Sequence, residues 1–111
     1  MPRPEAPRPG TPARGSSTGR PIMALLDLLG RRWTLRAMWE LRDGPRPFRA
    51  LQERCDGMSS SVLNQRLAEL REAGIVELAH RGYQLTAEGR ELLAAFEPLN
   101  AWAARWAART G

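Results

Sequence analysis

Lysine is absent from this chain: all 17 basic residues are arginine, set against 12 acids for a net charge of +5. Genome-wide codon bias is one explanation, and a preference for planar acceptors such as phosphate and guanine edges is the other. Cysteine occurs once, which excludes an intramolecular disulfide. Histidine also occurs once, so there is no nucleophile–base pair and no cluster of metal-ligand type. Nor does a phosphate-cradling glycine loop interrupt the chain. The expectation is a protein that is not an enzyme and has no cofactor. Long apolar runs are missing too, and the first twenty residues lack the apolar centre of a secretory signal. A cytoplasmic, nucleoid-associated protein without membrane contact is expected.

Residues 1–20 contain Pro2, Pro4, Pro7, Pro9 and Pro12, followed by Gly15, Ser16, Ser17 and Gly19, and cannot build a packed core. They read as a disordered arm carrying Arg3, Arg8, Arg14 and Arg20 against Glu5 alone. Such an arm either tracks phosphates or a minor groove, or is an inert tail. Residues 21–111 read as one domain that is only mildly basic, so binding to a polyanion requires its arginines to gather on one face.

Pro21 suits a first helical turn, and Ile22, Leu25, Leu26 and Leu29 recur at helical spacing until Gly30. A second helix is expected over 32–42, with Trp33, Ala37 and Leu41 on one stripe beside Leu35, Met38 and Trp39, and core packing is the expectation for both tryptophans. Gly44 and Pro45 end it. The next segment, 47–55, turns Phe48, Leu51 and Cys55 inward, which makes Cys55 a small core residue; a redox-sensing thiolate is the alternative.

Asp56 and Gly57 make a turn, Ser59 caps a helix running to Ala73, and Met58 and Leu63 are spaced as a hydrophobic staple. Leu63, Leu67 and Leu70 form its buried face. Projection at 100° per residue puts Ser61, Gln65 and Ala68 outward, with Ser60 and Asn64 on one flank and Glu69 on the other. The first two turns thus offer hydroxyls and amides, and the acids Glu69 and Glu72 come later. That polarity suits a recognition helix, whose N-terminal residues meet base edges. Asn64 and Gln65 pair with adenine, Ser59, Ser60 and Ser61 bond base edges or phosphate, and Arg66 suits a phosphate clamp. An ordinary solvated helix face is the competing reading.

After Gly74, residues 75–78 and 83–85 read as two strands of a short wing, with His80 and Arg81 near its tip placed for a minor groove or phosphate. Thr86 caps a last helix over about 87–107, on which Leu92, Leu93, Phe96, Leu99, Trp102 and Trp106 form an apolar stripe too broad for a monomer. Pro98 should kink or divide it. Packing on a second copy is expected here; an aromatic pocket for a small-molecule effector at the dimer seam is the alternative. The fold class is therefore mainly α with a small β-hairpin: a winged helix-turn-helix with dimerisation helices at both ends.

Four ordered blocks, DLLGRRWT (27–34), GPRPFRAL (44–51), VLNQRLAEL with AGIVE (62–70 and 73–77) and LTAEGRELL (85–93), resemble the HxlR-type, MarR-like winged-helix transcription regulators of bacteria. The resemblance runs from Pro21 to Trp106. It implies a homodimeric regulator, joined through its first and last helices, that binds an inverted repeat in double-stranded DNA and often answers to a small molecule or oxidant. Several features depart from that pattern. Ser60 and Ser61 stand where relatives often have Pro and Lys. Arg46 and Pro47 replace an Arg pair, with Arg49 as a substitute, and the wing is short. The early Cys of oxidant-sensing members is missing.

From these readings, a sequence-specific repressor is expected, with Arg46, Arg49, Ser59, Ser60, Ser61, Asn64, Gln65, Arg66, His80 and Arg81 on DNA. Its dimer would form through Ile22, Leu25, Leu26, Phe96, Leu99, Trp102 and Trp106. A winged helix that serves only as a protein-interaction module is the alternative, favoured by the weak domain charge and the clipped wing.

Overall fold

Proline at the first position and apolar residues every third or fourth place make α1 (Pro21–Leu29), the opening element of the computed structural model, which describes residues 20–110. The arm expected over residues 1–20 lies outside the described residues except for Arg20. Five helices and a hairpin follow: α2 (Thr34–Glu40), α3 (Phe48–Arg54), α4 (Ser60–Glu72), β1 (Val76–Ala79), β2 (Gly82–Leu85), α5 (Ala87–Ala95) and α6 (Glu97–Thr110). This is the expected winged helix-turn-helix.

The core gathers between α2, α3, α4 and the hairpin. Met38, Leu41, Leu51, Cys55, Leu63, Leu67 and Leu70 are all essentially inaccessible to solvent. Met58 and Leu63 are both buried in this cluster, as the staple required, and the Ser59 hydroxyl accepts from the Val62 amide at 3.3 Å. Asp56 and Gly57, at φ 59° and 68°, reverse the chain between α3 and α4. Short polar Asp and unbranched Gly tolerate that left-handed conformation best.

Two expectations for α2 are corrected. The helix is shorter than 32–42, because Trp33 sits before it in the left-handed region at φ 77°, where its indole packs on the core and Arg32 lies 5.5 Å from its ring centroid. Trp39 is not a core residue: Ala37, Met38 and Leu41 take the buried stripe, which leaves Leu35 and Trp39, one turn apart, on the flank at 39% and 40% exposure.

The hairpin pairs Val76 with Leu85 and Ala79 with Gly82, so only His80 and Arg81 turn the corner. Its start is one residue later than expected, since the Ile75 amide bonds to the Leu70 carbonyl and completes the end of α4. Beside Gly82 (φ 124°) the backbone of Arg46 and Pro47 lies so close that a Cβ has no room, and Arg46 and Tyr83 exchange amide–carbonyl bonds of 2.9 Å in both directions. The wing is thereby joined to the segment that leads into α3. Pro98 divides the final helix: α5 ends at Ala95, and Pro98 occupies the second position of α6, where its missing N–H costs nothing.

Candidate nucleic-acid interface

The exposed side of α4 begins with hydroxyls. Ser59, Ser60, Ser61 and Asn64 are exposed and Gln65 is half-exposed, and no acid lies in the first turn. From α3, the Gln52 amide donates to the Met58 carbonyl at 2.8 Å and to the Ser60 hydroxyl at 3.1 Å. Gln52 therefore fixes the start of α4 relative to α3, a role its sequence position did not advertise. Ser59, Ser60, Ser61, Asn64 and Gln65 are brought together on one rim as expected.

The arginines are more dispersed. Arg49 is exposed on α3. Arg46 is half-buried, its Nε donating to the Glu40 carbonyl at 2.8 Å and its guanidinium 3.9 Å from Asp43. Arg46 and Arg81 line one depression of about 310 Å³, together with Asp43, where the turn of the wing meets the α2–α3 connection, and His80 is exposed beside Arg81 at the tip. Arg66 is turned inward: its Nε donates to the Arg32 carbonyl at 2.7 Å and its Nη1 to Glu69 Oε1 at 2.9 Å, leaving 15% of the side chain exposed.

Glu69 overturns its assignment to a solvated flank. It is 1% exposed, with one oxygen on Arg66 and the other on Arg31, which comes from the turn between α1 and α2. A buried carboxylate persists only where both oxygens are satisfied, and here two guanidinium groups do that. The helical projection placed Glu69 on a flank of the outward face; its partner Arg31, 38 residues away, carried no periodic signal.

A second buried carboxylate organises the other half of the motif. Glu40 on α2 accepts from Arg36 at 2.8 Å and from Arg54 at 3.3 Å, and the Arg36 guanidinium also reaches the Arg54 carbonyl at 2.7 Å and Asp56 at 3.2 Å. Burial pushes the Glu40 carboxyl up, but hydrogen bonds from Arg36 and Arg54 outweigh it and hold it below the usual carboxylate range. The same pairing raises Arg36. Cys55 lies beside this group, fully buried, and burial pushes its thiol up despite the nearby Arg36. That is the setting of an inert core thiol rather than a reactive one.

The terminal helices leave apolar surface uncovered. Ile22 and Leu26 on α1 are 47% and 54% exposed, and Leu99, Trp102 and Trp106 on α6 are 57%, 47% and 51% exposed. Leu25 and Phe96 differ: both are half-buried against this chain's own core. The rings of Trp102 and Trp106 stack at 5.9 Å with planes 13° apart. Between α2 and the α5–α6 junction, Leu35, Trp39, Leu93, Phe96 and Leu99 line an apolar cleft of about 240 Å³, which adjoins a more polar one of about 470 Å³ containing Arg42 and Arg90. Arg42 covers the Trp39 ring at 4.0 Å.

Among the described residues no three potential metal ligands cluster, and no helix is long and apolar enough to cross a membrane. A family model described as HxlR-like helix-turn-helix matches residues 28–110. The HTH-type transcriptional regulator YodB of Bacillus subtilis is 36% identical over 83 residues, covering 68% of this chain and 74% of the relative. An uncharacterized HTH-type transcriptional regulator of Methanocaldococcus jannaschii, MJ0925, is 27% identical over 88 residues, 76% of this chain and 83% of its own. Among solved structures, quinone-bound YodB superposes with a TM-score of 0.71 at 36% identity, over 76% of this chain and 96% of that one. A MarR-family regulator from Enterococcus faecalis V583 gives 0.70 at 33% identity, over 79% and 86%.

Proposed function

The chain belongs to the HxlR-like helix-turn-helix family of transcriptional regulators, and from that premise we propose that it binds operator DNA sequence-specifically as a homodimer and represses by occluding a promoter. The observation that carries this reading is the rim of α4: Ser60, Ser61, Asn64 and Gln65 outward on the first two turns, with the acids held back to the last turn and Glu69 there neutralised inside. A negative charge at that rim would oppose phosphates; none is offered. Ser61, Asn64 and Gln65 read base edges, and Ser59 and Ser60 add hydroxyl contacts. Arg49, Arg46 and Arg81 hold the backbone, with His80 beside Arg81 at the tip of the wing. Arg66 acts from within, through Glu69 and the Arg32 carbonyl, rather than as a free phosphate clamp.

Two copies joined through Ile22, Leu25 and Leu26 of α1 and Phe96, Leu99, Trp102 and Trp106 of α6 present two α4 helices to successive major grooves, about 34 Å apart. The exposed tryptophan stack supports that seam, since a surface patch of this kind marks an interface. Selection from a random duplex library with sequencing tests the proposal. Wild type should enrich an inverted repeat, and Gln65→Ala should lose discrimination at one base position of each half-site. A folded wild type that enriches nothing would instead favour the protein-interaction module.

A small-molecule effector is a second reading, favoured by the cleft at Trp39, whose exposed ring lies beside Leu93 and Phe96. YodB is described as quinone-bound, and a planar aromatic compound fits this apolar lining as well. A response through Cys55 does not follow, because that thiol is buried and pushed up. A compound that released wild type but not Trp39→Ala from the operator would bear out the cleft.

A further inference from the structure

Four groups close a ring between the α1–α2 turn and α4. Arg31 donates to one Glu69 oxygen, Arg66 donates to the other at 2.9 Å, and the Arg66 Nε returns to the carbonyl of Arg32, the neighbour of Arg31, at 2.7 Å. On the far side, Arg31 also pairs with Asp27 of α1 at 3.5 Å. The turn itself is firmly set: Trp33 holds the left-handed conformation at φ 77° with its ring against the core. A bulky residue keeps such a conformation only where its surroundings over-determine it.

We propose that Glu69, with Arg31 and Arg66, is a positioning residue that sets the roll of α4 about its own axis and so decides which side chains face a DNA groove. The inference rests on the DNA-binding reading above. Leu63, Leu67 and Leu70 hold α4 on the core, but apolar contact is non-directional and leaves roll poorly specified. Charge-assisted hydrogen bonds are directional, and this ring grips the helix at two positions one turn apart on the flank between the buried and reading faces. With a helix radius of about 5 Å including side chains, a roll of roughly 20° displaces an outer atom by about 2 Å. Base-edge hydrogen bonds tolerate only about 0.5 Å. A positioning role also gives the buried ion pair a use that does not depend on net stability, which such pairs often fail to add.

Charge and position predict opposite signs for one substitution. If Glu69 were merely a carboxylate near DNA, Glu69→Gln would remove repulsion and tighten binding to every duplex. As a positioning residue, Glu69→Gln should weaken binding to the selected operator by about tenfold and lower the preference for it over a scrambled duplex by a similar factor. Dimer sedimentation, far-UV circular dichroism and the salt slope on the scrambled duplex should stay as in wild type. A charge-conserving variant separates geometry from charge: Arg31→Lys keeps the charge but loses the planar fork that reaches Glu69 and Asp27, so it should show the same loss of preference while remaining folded. Arg31→Lys also carries the test if Glu69→Gln does not fold. Operator preference unchanged or improved in the folded variants would overturn the inference and leave the DNA-binding reading intact. A wild type that binds no duplex sinks both.

Discussion

Placing a methyl group at residue 82 tests how the wing is attached. Gly82 has φ 124°, a conformation closed to L side chains, and an added Cβ would overlap the backbone of Arg46 and Pro47. Gly82→Ala must therefore either hold a strained backbone, at about 1–3 kcal/mol, or move the hairpin away from the α3 lead-in. Moving it breaks the two 2.9 Å bonds between Arg46 and Tyr83, each worth about 1 kcal/mol net. Some of both is expected, giving a loss of about 3 kcal/mol or more. For a domain of this size that is about 12 °C or more in Tm. Thermal unfolding followed by circular dichroism reads the shift directly, with Gly74→Ala as comparison, because Gly74 also has a positive φ (79°) but open space around its Cβ position. If Gly82→Ala melted within about 2 °C of wild type, or no lower than Gly74→Ala, the close contact between wing and lead-in would be refuted.

The proposed dimer gives a second outcome: Trp102→Ala deletes a ring that is 47% exposed in one chain. Covering that area contributes about 2–3 kcal/mol per subunit, so with both copies altered sedimentation should show dimerisation weakened by about a thousandfold or more, and an unchanged dimer would exclude Trp102 from the seam. The third concerns pH. Glu40 is held below its unfolded value, so its contribution is fully present above the ordinary carboxylate range and is lost as pH falls through the lowered folded value. Denaturant midpoints should fall on acidification more steeply in wild type than in Glu40→Gln; parallel curves would show that the Arg36–Glu40–Arg54 group does not contribute.

Much of this architecture was legible in the chain because its signals are local. Ser59 and Thr86 cap their helices through hydroxyls that accept amides three residues on, Pro98 divides the last helix, and Met58, Leu63 and Cys55 enter the core at the positions their spacing required. What escaped was long-range and polar. Glu69 has the periodicity of a boundary residue and the chemistry of a surface one, and only folding supplies Arg31 from across the molecule. Trp39 shows the reverse failure. Its helical spacing suggested the core, but Ala37, Met38 and Leu41 already fill the stripe, and the indole is left at the cleft. The family resemblance gained from the same locality, since its four blocks coincide with caps, turns and helix faces.

The last helix carries one further consequence. Among its 14 residues none is buried within the chain, and a single helix of that length is marginal in water unless something covers it. If two copies meet through α6 as proposed, its helix formation and assembly are one equilibrium: dilution that separates the copies should also melt their ends. The protein's helical signal would depend on its own concentration, and a cell holding few copies would hold the regulator with its terminal helices frayed.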